Sequence, residues 1–313
     1  DIDLSLSPKG AGSLSAGAAD NTITGGDKRG HYAVDWQMER NSSNQVAQAD
    51  NSVIGGGRLN RVTGGFSVIG GGSGNFASSA ANTISGGWNN STSGHYAVVA
   101  GGEGNNSSGH YAIVSGGFNS NVSGNYSNTS GGQGNHITGN YSSIVGGLAN
   151  SVGGNYSSVV GGYGLNLSGS GSVGFLGNNN LGNHGLSVSA SNTAVLGNVD
   201  LWLVNSDSIA HEIRFYESSG SGSNYTAFKA QEQSTNITYT LPATDGSNGQ
   251  VLRTDGSGVL SWDNTGLEYF SESRTTSGPN VTVPVHQISV IGTEDDIDLS
   301  LSPKGAGSLS AGA

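Results

Sequence analysis

The chain of 313 residues has no cysteine, one methionine and five prolines, and only 11% of its residues are charged. Without cysteine it can form no disulfide and no thiolate zinc site, and it has no cysteine nucleophile. Five prolines are too few for collagen, in which glycine also recurs at every third residue. No run approaches the roughly 18 apolar residues that a membrane-spanning helix needs, so no transmembrane segment is expected.

Glycine is what the chain has in excess, with 55 of the 313 residues. Such a glycine-rich composition is unfavourable for helices, because glycine destabilises their interiors. The remaining class is an all-β repeat protein. Acidic residues outnumber basic ones by 22 to 11, which gives a net charge of −11. This sign disfavours nucleic acid as a partner.

Glycine pairs recur every fifteen residues, from 56/57 to 161/162, without a slip. An aliphatic residue usually precedes each pair by two positions, and a tyrosine often follows a second glycine. A fifteen-residue unit is too short for a helical repeat, and glycine permits tight turns with positive φ. The pattern therefore predicts a parallel β-solenoid, or β-roll, in which equivalent residues form ladders. The predicted ladder residues are Ile54, Ile69, Ile84, Val99, Val114, Ile144, Val159, Tyr96, Tyr111, Tyr126, Tyr141 and Tyr156.

The number of chains follows from the size of the predicted core. Each coil offers about three apolar side chains, counting the tyrosine, which is a thin core for fifteen ordered residues. Three chains that turn their apolar faces to a common axis would share one larger core. We therefore expect an intertwined homotrimer.

The chain also repeats its own beginning, because residues 1–18 and 296–313 both read DIDLSLSPKGAGSLSAGA. Either one long block is followed by the start of the next, or two copies of a small module flank a single insert. The first interpretation is favoured, because repeat proteins grow by duplicating whole blocks. It predicts a parent protein that is a tandem array of near-identical blocks.

Changes in the pattern divide the chain into segments. We expect connector strands at 1–18, an irregular lead-in coil at 19–50, the regular β-roll at 51–172, a degenerate roll end at 173–200, a small β-domain at 201–264, a linker strand region at 265–295 and the start of the next block at 296–313. In the small β-domain, short apolar runs alternate with Gly-Ser and Asp-Gly turn signals.

The repeats, typified by NYSSIVGGLANSVGGNYSSVVGG at 140–162, resemble the head repeats of trimeric autotransporter adhesins and of similar phage tail-fibre proteins. The resemblance covers about 51–172 and implies a trimeric left-handed parallel β-roll. The DIDLSLSPKG cassette and the stretches at 33–57 and 212–262 resemble modules of phage tail fibres and large bacterial surface proteins. The fifteen-residue period departs from the slightly shorter one of adhesin heads. Neither an autoproteolytic chaperone nor a membrane-anchor barrel is recognisable.

The densest acidic group is the best candidate for a metal site, and it consists of Glu294, Asp295, Asp296 and Asp298. Tripled around an axis, these carboxylates would supply the oxygen ligands that Ca²⁺ prefers. The alternative, a solvated acidic junction, is favoured, and no other cofactor is expected.

Histidine offers a second, weaker candidate. His95 and His110 are one period apart, but their column continues as Asn125, Asn140 and Asn155. This continuation indicates a hydrogen-bonded surface ladder rather than a metal site.

Catalysis is not expected. Between 51 and 199 the only charged residues are Arg58, Arg61 and Glu103, so that one coil cannot assemble a general acid–base pair. The sequence instead predicts a glycine-rich structural block of a long, homotrimeric extracellular fibre made of tandem blocks, on a cell surface or a virion.

The alternative function is a receptor- or glycan-binding shaft of a phage tail fibre or a bacterial adhesin. Exposed aromatic residues such as Trp88, Tyr163 or Trp202 would then supply stacking surfaces.

Overall fold

The computed structural model describes residues 12–15, 17–37, 39–177, 185–203, 210, 212–218, 220 and 222–264, and the backbone of two strands at 270–275 and 285–290. The chain divides into two units, Asp1–Trp202 and Leu203–Ala313. The described residues form strands and turns, and none of them belongs to a helix that could cross a membrane. The prediction of an all-β chain is confirmed.

The first unit is a parallel β-solenoid, in which each regular coil adds one short strand to each of two sheets. The first sheet has twelve strands. They are β1 (Leu14–Ser15), β2 (Val34–Asp35), β3 (Val53–Ile54), β5 (Val68–Ile69), β7 (Thr83–Ile84), β9 (Val98–Val99), β11 (Ile113–Val114), β13 (Asn128–Thr129), β15 (Ser143–Ile144), β17 (Ser158–Gly162), β19 (Val173–Leu176) and β21 (Ala194–Gly197).

The second sheet has nine strands. They are β4 (Arg61–Val62), β6 (Phe76–Ala77), β8 (Ser91–Thr92), β10 (Asn106–Ser107), β12 (Asn121–Val122), β14 (His136–Ile137), β16 (Ser151–Val152), β18 (Asn166–Leu167) and β20 (Ser187–Val188). Neighbouring strands of the regular part pair one period apart, as in Val53 with Val68. Val34 pairs with Val53 and Val173 with Ala194, so the coils are longer than fifteen residues at both ends.

Aliphatic columns from both sheets fill the inside of the coil, because successive residues of a strand face opposite sides. The residues of these columns with no exposed surface include Ile54, Ile69, Ile84, Val99, Val114, Ile144 and Val159 from the first sheet, and Val62, Val122, Ile137, Val152 and Leu167 from the second. Our expectation that the apolar columns face an axis shared by three chains is therefore wrong for the aliphatic ones. One chain encloses its own core.

A column of buried asparagines supplements this thin apolar core. Asn105 shows the arrangement: its Oδ1 accepts from the backbone N–H of Ser120 at 3.0 Å. Its Nδ2 donates to the carbonyls of Gly101 at 3.0 Å and Gly117 at 2.9 Å. The ladder begins at Gln37, whose Oε1 accepts from the backbone N–H of Asn60 at 2.8 Å. Because every polar atom of the amide is paired, its burial does not leave an unsatisfied group.

A charged cluster closes the N-terminal end of the core. Asp35 pairs in register with Ile54, so a carboxylate stands where the aliphatic column would continue. Its Oδ2 accepts from Arg29 Nε at 3.1 Å and from Arg40 Nη2 at 3.2 Å, and all three side chains are buried. Solenoids need such polar ends, because an open apolar end would invite further stacking.

The described part of the second unit contains three antiparallel hairpins. They pair β22 (Glu212–Tyr216) with β23 (Tyr225–Lys229), β24 (Gln250–Thr254) with β25 (Leu260–Asn264), and β26 (Phe270–Thr275) with β27 (Val285–Val290). No residue with a described side chain between 210 and 264 is buried. The hairpins of the single chain therefore have no core of their own in this part.

Candidate interaction surfaces

The outer surface of the first sheet carries no charge along the regular roll. Eight of the seventeen residues in its two outward columns are aliphatic, and the other nine are glycine, serine, threonine or asparagine. The seventeen residues are Val53, Val68, Thr83, Val98, Ile113, Asn128, Ser143, Ser158 and Val173, and beside them Gly55, Gly70, Ser85, Ala100, Ser115, Ser130, Val145 and Val160. We call this surface the apolar face. Ile113 is 41% exposed and Val145 and Val160 are each 54% exposed, so water covers much of it in the single chain.

The outer surface of the second sheet is polar. Its outward columns consist mostly of hydroxyl and amide side chains. They are Arg61, Phe76, Ser91, Asn106, Asn121, His136, Ser151 and Asn166, and beside them Thr63, Ser78, Ser93, Ser108, Ser123, Thr138 and Ser168. We call this surface the hydroxyl face. Several of these side chains form hydrogen bonds along the face, as Asn106 Nδ2 donates to Asn121 Oδ1 at 3.1 Å. Polar side chains can also bind water, so this face needs a partner less than the apolar face does.

The tyrosine ladder lies on the outside of the corner between the hydroxyl face and the apolar face. Tyr96, Tyr111, Tyr126, Tyr141 and Tyr156 are 46–69% exposed. Successive ring centroids are 4.8, 4.9, 5.0 and 5.1 Å apart, and successive ring planes lie within 8° of parallel. All five residues have φ between 55° and 59°, in the left-handed region that bulky residues rarely occupy. The tyrosines thus form a surface column and add nothing to the buried core.

The column beside the tyrosines contains the two predicted histidines. The rings of His95 and His110 are stacked with centroids 5.2 Å apart. The backbone N–H of His110 donates to Asn125 Oδ1 at 2.8 Å, and that of Asn125 donates to Asn140 Oδ1 at 2.8 Å. Among the described residues no group of three or more histidine, aspartate or glutamate side chains could hold a metal ion.

The opposite corner carries a pattern that our sequence analysis missed. Trp88, Phe118 and Leu148 are 53%, 44% and 41% exposed, and they alternate with smaller or polar residues of the intervening coils. Those intervening residues are Ser73, Glu103 and Gln133. The signal is visible in the sequence, because GGSGN, GGEGN and GGQGN alternate with GGWNN, GGFNS and GGLAN. At this corner the repeating unit is therefore a pair of coils.

The other predicted site residues stand apart from these columns. Trp202 is 77% exposed near the end of the first unit, and Tyr163 is half-buried. The acidic group of Glu294, Asp295, Asp296 and Asp298 lies outside the described residues.

No family model matches the chain, and no curated protein is significantly similar to it. The function must therefore be argued from the surfaces that this fold presents.

Proposed function

We propose that the chain is a structural block of a long homotrimeric extracellular fibre, in which near-identical blocks follow one another along the polypeptide. The observation that carries this proposal is the apolar face. It runs along the regular roll, carries no charge, and has aliphatic residues at eight of its seventeen positions, which only water covers in a single chain. Each half-exposed valine or isoleucine that a partner buries would contribute on the order of 1 kcal/mol. Three copies that turn this face inward would leave their hydroxyl faces in water.

The second unit supports the same assembly. An isolated two-stranded hairpin is marginally stable in water, and it needs further strands or a packing partner. On the hairpin of β22 and β23, Phe215 and Phe228 meet edge to face with centroids 6.1 Å apart, yet they remain 57% and 73% exposed. Equivalent hairpins from three chains would cover these rings and complete the small β-domain that the sequence predicts.

The repeated eighteen-residue segment supports the tandem arrangement. In its first copy, Leu14–Ser15 forms the first strand of the roll and pairs with Val34–Asp35. The second copy carries the same residues as Leu309 and Ser310. In a chain that continues in the same order, this second copy would begin the next roll.

The proposed role is mechanical, and it involves no catalysis. Hydrogen bonds between coils run along the roll, and each coil adds about 4.8 Å of length. Charge is almost absent between 51 and 199, so neighbouring coils repel one another little. The proposed partners are further copies of the chain, and the proposed location is a cell surface or a virion.

The test places one lysine on each face of the roll. Ile113→Lys puts a charge in the middle of the apolar face, and the matched control Asn121→Lys puts the same charge on the hydroxyl face. We expect the native chain and Asn121→Lys to have the mass of a trimer by light scattering, whereas Ile113→Lys has the mass of a monomer. Far-UV circular dichroism checks the folding of each variant, and Val145→Lys repeats the test at a second position.

A native chain that is monomeric at micromolar concentration would contradict the trimer, as would an Ile113→Lys variant that remains trimeric. Electron microscopy of the native particle tests the fibre separately. It should show long filaments with a threefold cross-section and an axial repeat of one block.

The exposed Trp88 and Trp202 favour, as a second candidate, a shaft that binds a receptor or a glycan. Short single rods that do not join end to end, but that bind to cell-surface glycans, would support this candidate over the tandem fibre.

A further inference from the structure

The aromatic column lacks a ring at Ala81, as it also does at Asn51 between Tyr32 and Phe66. Phe66 and Tyr96 stand in this column two coils apart, and Ala81 occupies the position between them. All three residues have φ of 59°, so their side chains leave the backbone in the same direction. The backbone of the column therefore continues without a break through Ala81, and only the ring is absent.

The size of this gap follows from the spacing of the column itself. Rings one coil apart have centroids 4.8–5.1 Å apart. Two coils therefore separate the ring positions of Phe66 and Tyr96 by about 10 Å. One additional ring placed midway would lie about 5 Å from each wall, within the usual distance for stacked aromatic pairs.

The floor of the gap is flat and open. Ala80, which precedes Ala81 in the chain, lies in the neighbouring column, one coil before His95. This coil therefore has only alanine in both columns. Phe66 is 69% exposed and Tyr96 is 53% exposed, so that both walls are accessible from water in the single chain.

We propose that this gap, formed by Phe66, Ala80, Ala81, His95 and Tyr96, binds one flat aromatic molecule of small size. The ligand takes the place of the missing ring and stacks on Phe66 on one side and Tyr96 on the other. All of its residues belong to one chain, so the site is complete without a second copy.

The charged groups near the gap determine which flat aromatic molecules bind best. The carboxylate of Asp50 lies in the coil before Phe66, on the side away from Ala81, where its Oδ1 accepts from the backbone N–H of His31 at 2.8 Å. The only basic group of the gap is the imidazole of His95, and the chain as a whole has a net charge of −11. The site therefore favours neutral or cationic aromatic molecules over anionic ones.

The test uses the full chain and thioflavin T, a flat cationic dye whose fluorescence rises when it is held rigidly. The native chain should bind one dye molecule per chain in a saturable titration. Ala81→Tyr fills the gap with the ring that the other coils carry, and it should weaken binding at least tenfold. This variant should fold, because tyrosine stands at the same φ in five other coils of the column.

The matched control is Ala149→Tyr, at an exposed alanine with φ of 55° on the opposite corner of the roll. Its affinity for the dye should equal that of the native chain. Phe66→Ala, which removes one wall, should weaken binding several-fold.

Three results would overturn the proposal. They are an absence of saturable binding to the native chain, an Ala81→Tyr variant that binds as tightly as the native chain or more tightly, and equal weakening by Ala81→Tyr and Ala149→Tyr. Tighter binding to Ala81→Tyr would show that the dye lies along the completed tyrosine column.

Discussion

Each regular coil turns through two adjacent glycines whose environments differ, and this pair provides a sharp test of the fold. Gly102 has φ of +86°, and a Cβ atom added to it would stand 2.2 Å from the carbonyl oxygen of Gly117 in the next coil. At Gly101, φ lies outside the left-handed region, and an added Cβ would have no atom within 4 Å. Alanine should therefore be tolerated at Gly101 and rejected at Gly102.

The expected difference in the free energy of unfolding follows from two effects. Holding alanine in the left-handed region costs about 1–2 kcal/mol. Relieving the contact with the Gly117 carbonyl requires the next coil to shift, which weakens at least one hydrogen bond and adds about 1 kcal/mol. Gly102→Ala should therefore destabilise the roll by about 2–3 kcal/mol. Gly101→Ala should stabilise it by up to about 1 kcal/mol, because alanine lowers the entropy of the unfolded chain.

Urea unfolding at a fixed protein concentration, followed by far-UV circular dichroism, measures both variants. Hydrogen exchange adds local information, because a solenoid opens coil by coil. The backbone amides of the coils next to Gly102 should exchange faster in Gly102→Ala alone. Equal midpoints for the two variants, or a less stable Gly101→Ala, would refute the assignment of these two conformations.

Two further substitutions test the polar contacts. Asn105→Asp keeps the shape of the side chain but removes both donors and buries a carboxylate, so it should destabilise the roll by about 3 kcal/mol at pH 7. Burial raises the pKa of such a carboxyl, so this loss should shrink at acidic pH. The matched control Asn121→Asp on the hydroxyl face keeps the oxygen that accepts from Asn106, and it should have little effect in urea unfolding. On the hairpin of β24 and β25, the hydrogen bond from Arg253 lowers the pKa of Asp263. Because the lowered pKa belongs to the folded state, the pair stabilises the hairpin above the usual aspartate pKa, and this contribution is lost as pH falls through the lowered value. Asp263→Asn should remove this part of the acid dependence, measured by tryptophan fluorescence, and an unchanged acid transition would contradict the role of the pair.

The regular part of the fold could be predicted from the sequence, because glycine reports backbone geometry directly. A glycine pair at every fifteenth residue marks a corner that recurs in every coil. The aliphatic residue two positions earlier then has a fixed place on the inner side of a strand, as Ile54 and Ile69 show. The glycine pair and the aliphatic residue before it together predict the length of a coil, the parallel pairing of its strands and the residues of the aliphatic columns.

The places of tyrosine and asparagine could not be predicted from polarity. Tyrosine counts as apolar, and we therefore placed it in the core, yet the left-handed corner turns the ring of Tyr96 outward. Asparagine counts as polar, yet Asn105 is buried, because the opposite corner, at the glycine pair, turns two glycine carbonyls toward its amide. In both cases the conformation of the turn decides the direction of the side chain.

The candidate sites were harder to predict, because they depend on exceptions to the period. The gap at Ala81 is visible only when the column is known to be a stack of rings, since alanine is an ordinary residue in any other context. The alternation of Trp88 and Phe118 with smaller residues has a period of two coils, which a search for the fifteen-residue repeat averages away. The repeat therefore predicts the scaffold, and the positions at which the sequence departs from the repeat indicate the candidate binding sites.

The enclosed core changes the reason for assembly. If three chains shared the aliphatic columns, no part of one chain would fold alone. Because Ile54 and its equivalents are already buried within one chain, the proposed trimer would be driven by the apolar face and by the exposed hairpin rings such as Phe215. The two units should then depend on assembly to different degrees. The roll has its own core and its amide ladder, whereas no side chain described between 210 and 264 is fully buried, so trimer formation would stabilise the second unit far more than the first.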